Sequence, residues 1–144
     1  ALALGASAML TGSRMLCAEE IWAHPDYKRR VLAATEHDNS VVMRAFRGEH
    51  RVLANETAAQ VAALEAAGET DFERYRELCS GQLTRSAYVS GDTRFGLIDL
   101  GPAAAFANEV RPVEAIIDSI IDEAVAASAR VGDLRQPSSP SVPS

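Results

Sequence analysis

Apolar and polar residues change period several times along this chain, and the changes mark its elements. Leu4 to Glu20 is the stretch around which the rest is arranged. Ala6 to Leu10 is a short apolar run without alternation, the pattern of a strand buried on both faces of a parallel sheet. Gly5 suits the C-cap of a helix ending at Ala1 to Leu4. Gly12-Ser13 turns the chain, and Glu19 to Trp22 reads as a helical turn. His24-Pro25 breaks it and opens a helix from about Asp26 to Thr35. Tyr27, Arg30, Val31 and Ala34 mark the inner side of that helix, and Lys28 and Arg29 the outer side. Val41 to Phe46 and Arg51 to Leu53 read as a hairpin turning at Gly48.

Helical spacing then returns. Thr57 to Ala67 presents Ala58, Val61, Ala62 and Leu64 inward and ends at Gly68. Asp71 to Cys79 reads as a second helix, with Thr70 and Glu73 as a capping box and Ser80-Gly81 as its stop. Gly81 to Asp99 is the least regular part, with a turn at Gly91-Asp92. The clearest helix follows Pro112: Val113, Ile116, Ile117, Ile120, Ile121 and Ala124 recur at steps of three and four. Residues 133–144, with their Pro-Ser run from Gln136, read as a disordered tail.

Composition narrows the classes. The 144 residues amount to one domain, and 47% are apolar, so a core is within reach, though much of it is small alanine. The net charge of -6 argues against non-specific nucleic-acid binding. Cys17 and Cys79 match no metal spacing and read as free thiols of a reducing, cytoplasmic compartment. No apolar run is long enough for a membrane helix, and Ala1 to Leu10 has no basic leader. The start without methionine, in an Ala-Leu-Ala-Leu run, is expected of a processed product or fragment.

The chemistry with the best claim is anion binding at the first turn. Amides around Gly12 and Ser13 would converge on a phosphate, with the Ser13 hydroxyl as a further donor. The same residues also suit a plain tight turn. His24 fits packing or capping, His50 falls in the hairpin turn, and Arg44, Arg47 and Arg51 make a small basic patch suited to a solvated face.

Leu4-Gly5-Ala6, Gly12, Ser13 and Arg14 lie on a pattern that reads Leu-Gly-Ala-Asp-Gly-Val-Gln-Met-Gly-Thr-Arg in the nitronate monooxygenase family. His24, Pro25, Tyr27 and Lys28 resemble its His-Pro-x-Tyr-Lys, and Phe46, Gly48, Arg51 and Asn55 fall on a later motif. Ala87, Gly91, Asp92 and Gly101 match further on, with Pro102 where the family has glutamine. Pro112, the isoleucines and Glu123-Ala124 match its last helix. The chain as a whole resembles the C-terminal portion of these FMN-dependent TIM barrels.

The resemblance implies an α/β fold: a C-terminal fragment of a (β/α)8 barrel, mostly helical, with one terminal barrel strand and a hairpin. Residues 1–20 would be the last strand and FMN-phosphate loop, 21–110 a helical and hairpin insertion returning to the barrel, and 111–132 the C-terminal helix. The cofactor implied is FMN, bound through Thr11, Gly12 and Ser13. No histidine here takes the family's catalytic position, which would lie N-terminal to this chain. The complete enzyme would oxidise propionate 3-nitronate or alkyl nitronates with dioxygen. The alternatives are a related flavin barrel, an enoyl-acyl-carrier-protein reductase or dehydrogenase, and a non-catalytic truncated fragment. No metal, nucleic acid or membrane partner is expected, and an open strand edge in the isolated chain would favour self-association.

Overall fold

The computed structural model describes residues 1 and 4–133. Its elements are helix α1 (Pro25–Leu32), strand β1 (Asn39–Val42), strand β2 (His50–Leu53), and helices α2 (Glu56–Ala66), α3 (Gly81–Ser90) and α4 (Val113–Asp133). Short 3₁₀ turns at Ser13–Cys17, Arg44–Phe46, Phe72–Arg74 and Pro102–Phe106 join them. The chain is thus mostly helical with one small antiparallel sheet, consistent with part of a (β/α)8 barrel.

The hairpin divides two cores. β1 and β2 pair in the register Asn39↔Leu53 to Val42↔His50. Successive side chains on a strand face opposite ways. Val52 accordingly packs with Val42, Val61 and Tyr75, while Leu53 packs with Tyr27, Val31, Ile98 and Leu100. Residues 98–100 run beside β2: Leu53 N donates to Ile98 O (2.8 Å) and Leu100 N to Arg51 O (3.1 Å). This third segment carries Gly101 to the edge where Ser13 stands.

Several expectations change. Ala6 to Leu10 is irregular rather than a strand, and Leu10 is 100% exposed. A barrel strand takes its hydrogen bonds from neighbours on both sides, and none flanks this segment among the described residues. Gly5 does take φ +88, as a glycine cap would, and Ala6 N donates to Ala1 O (3.1 Å). The turn placed at Glu19 to Trp22 forms earlier, at Ser13–Cys17. Ala18 instead bridges Arg111 in parallel, with Glu19 N donating to Arg111 O (2.9 Å).

Lys28 faces inward, only 8% exposed, because its Nζ donates to the carbonyls of Ala18 (2.6 Å) and Glu19 (3.2 Å). A buried ammonium needs such partners. Arg44–Phe46 leaves the strand for a 3₁₀ turn, flanked by Met43 (φ 66) and Arg47 (φ 55) in the left-handed region. Ala62 is exposed. Asp71 to Cys79 forms only a 3₁₀ turn and looser bends, with Asp71 rather than Thr70 accepting from Glu73 N. Ser80-Gly81 opens a helix instead of closing one: the Ser80 hydroxyl accepts from Gln82 N (3.2 Å), and α3 fills the stretch read as irregular. Of the isoleucine face on α4 only Ile116 is buried, while Ile117 and Ile121 stay exposed. The tail expected after α4 lies outside the described residues.

Candidate functional site

The chain from Thr11 to Cys17 is held from three sides. From below, Lys28 of α1 grips the carbonyls that end the 3₁₀ turn. From the side, Arg111 N donates to Cys17 O (3.3 Å). From outside, the Arg14 guanidinium spans both oxygens of Glu123 on α4 (2.6 and 3.0 Å) and Ser119 Oγ (3.1 Å). That forked bond holds the Glu123 carboxyl below the usual carboxylate range. The sequence reading saw neither Lys28 nor Glu123 as a support of this turn. A lysine three residues after Pro25 and a glutamate on the last helix carry no local mark of contacts so distant along the chain.

Within the turn, Gly12 accepts from Met15 N (2.8 Å). Its φ is -126, so its conformation is not left-handed, and a Cβ there would meet nothing within 4 Å. Thr11 and Ser13 are half-buried and Gly12 is exposed. The 3₁₀ turn has no side-chain cap at its start. The Ser13 hydroxyl instead accepts from the amide of Gly101 (2.7 Å). A hydroxyl that accepts one bond still carries a proton to donate. Among the described residues that proton has no protein acceptor. The turn thus has open space at Gly12 and no side-chain cap at its start.

The histidines do not join this site. His24 caps α1, its Nδ1 accepting from Asp26 N (3.1 Å). His50 is exposed on β2, with Nδ1 4.0 Å from Asp99 Oδ1, and His37 is exposed beside Glu36. Cys17 is buried and Cys79 half-buried, both unpaired with each other, and burial raises the pKa of each thiol. Thiols held protonated in this way are poor nucleophiles. A groove of about 640 Å³, lined by Gln60, Leu64, Glu73 and Leu78 among others, lies beside α2 and does not reach Ser13. No helix among the described residues is long and apolar enough to cross a membrane.

The family model described as nitronate monooxygenase matches residues 1–123. Among solved structures the chain is similar to FabK from Thermotoga maritima, at 28% identity and a TM-score of 0.79, over 92% of this chain and 42% of that one. The M276A mutant of the same FabK matches at 26% identity and a TM-score of 0.69, over 92% of this chain and 39% of that one. The chain therefore spans about two fifths of the length of these structures.

Proposed function

The chain belongs to the nitronate monooxygenase family, and on that premise we propose that the protein it is part of is a flavin-dependent oxidoreductase of the TIM-barrel class, with FMN as cofactor. Thr11, Gly12 and Ser13 would hold the FMN phosphate. The observation that carries this is the Ser13 hydroxyl, fixed by the Gly101 amide with its own proton unspent. The flavin supplies the redox chemistry when bound. This chain's share is to bind and orient: Lys28 and Arg14 fix the turn, and Gly101 aims the hydroxyl.

Two chemistries fit such a protein. One is oxidation of propionate 3-nitronate or alkyl nitronates by dioxygen, the reaction after which the family is named. The other is reduction by a related flavin barrel, an enoyl-acyl-carrier-protein reductase. The likeness to FabK supports the second better. The test is a pair of assays on the longer protein containing this chain. Oxidation of NAD(P)H dependent on an enoyl thioester is expected for the reductase. Dioxygen uptake dependent on a nitronate, with no response to the thioester, would reverse the choice.

A further inference from the structure

Trp22 is the chain's only tryptophan, and it stands 68% exposed. Tryptophan is highly buried on average, so an indole left in water calls for a reason. Its ring lies against Tyr88, with centroids 5.6 Å apart and planes tilted by 35°. Tyr88 in turn stacks on Tyr27, at 4.4 Å and 25°. The three rings run from solvent to the core that holds Tyr27 and Cys17. Rings in such close contact exchange electrons readily, so the resting place of a radical among them depends on where each proton can go.

The surroundings divide the three. Trp22 meets water directly, and Tyr88 is half-buried. Tyr27 is 0% exposed, and its hydroxyl has no hydrogen-bond partner among the described residues. A phenol that loses an electron there must keep its proton and carry a positive charge in an apolar core, which is costly. Tyr27 is therefore closed to oxidation although its ring touches Tyr88.

We propose that Trp22 and Tyr88 form a one-electron relay that captures oxidising radicals from solution and holds them as a Tyr88 phenoxyl, one ring short of the core. The oxidising radical takes an electron from Trp22, whose indole proton passes to water. Tyr88 then gives an electron to the Trp22 radical and its phenol proton to water, while the indole recovers a proton from water. The net result is an oxidant reduced by one electron, one proton released to water, and the radical on Tyr88. Tyr27 and Cys17 stay reduced behind it. The relay is independent of the flavin reading.

The test is pulse radiolysis of the 144-residue chain with the azide radical, a one-electron oxidant that attacks the lone indole first. The indolyl absorption should decay as a tyrosyl absorption grows, at a rate independent of protein concentration. Tyr88→Phe keeps the ring and should abolish that growth. Tyr27→Phe should leave its rate unchanged, as should Tyr75→Phe in the other core. No tyrosyl growth, a rate that scales with protein concentration, growth that persists in Tyr88→Phe, or an equal loss in Tyr27→Phe would each overturn the proposal.

Discussion

Two buried tyrosines show how little of a residue's energetics its burial alone conveys. Tyr27 and Tyr75 are both 0% exposed. The Tyr75 hydroxyl donates to Glu69 O (2.8 Å), but the Tyr27 hydroxyl has no hydrogen-bond partner among the described residues. Tyr27 nonetheless stacks on Tyr88 with ring centroids 4.4 Å apart, and burial raises its pKa far above the ordinary value. A neutral internal hydrogen bond contributes about 1 kcal/mol net, and a buried unsatisfied group costs about as much or more. Phenylalanine keeps the ring at either position. Tyr75→Phe should lower the thermal unfolding midpoint, while Tyr27→Phe should leave it unchanged or raise it. A larger drop for Tyr27→Phe would mean that its hydroxyl is satisfied after all.

At the scale of elements, caps and glycines decide the boundaries. Gly91 ends α3 at φ +81, and a Cβ there would run into His24 and stand 2.7 Å from Asp26 Cβ, the residues that open α1. Gly91→Ala should therefore destabilise by more than the roughly 1 kcal/mol of left-handed strain alone, read as a loss of urea midpoint. Much of this was legible in the sequence. The Gly91-Asp92 turn, His24 as a cap and the hairpin all follow from local chemistry. Ser80-Gly81 was misread because Ser-Gly suits both ends of a helix, and only the absence of a regular helix before it settles the matter. Lys28 was misread because helical period gives a face, not the carbonyls waiting beneath it.

The docking of α4 is also an element-scale property, and it responds to pH. Arg14 lowers the folded-state pKa of Glu123 from an ordinary 4.5. A depressed carboxyl contributes stability above its unfolded pKa and loses it as pH falls through the folded value. Acidification below about 4.5 should therefore loosen α4 at Ser119 and Glu123, followed by their chemical shifts. Glu123→Gln should remove that dependence. The effect is modest, because Glu123 is more than half exposed and water screens the pair.

On the scale of the whole molecule, the chain leaves apolar surface uncovered. Leu10 and the α4 stripe of Ile117, Ile121 and Val125 are exposed apolar surface, and large patches of that kind mark contact surfaces. The apolar stripe of α4 was legible in its spacing, but pattern cannot say what covers it, and the strand expected at Ala6 to Leu10 does not form. The site at Ser13 was legible only as a donor-rich turn. The partner of its hydroxyl, Gly101, lies 88 residues away, a distance only the fold can close. The central claim is that this turn holds the phosphate of FMN, and one variant tests it most directly. FMN dissociation and unfolding of the apo-protein are to be measured on Ser13→Ala in the longer protein that contains this chain. A lost charge-assisted bond is worth roughly 1.5–3 kcal/mol, so affinity should fall about ten-fold to a hundred-fold while the protein stays folded. Unchanged FMN affinity, with only the unfolding midpoint shifted, would contradict the account and leave Ser13 as the clasp of Gly101 alone.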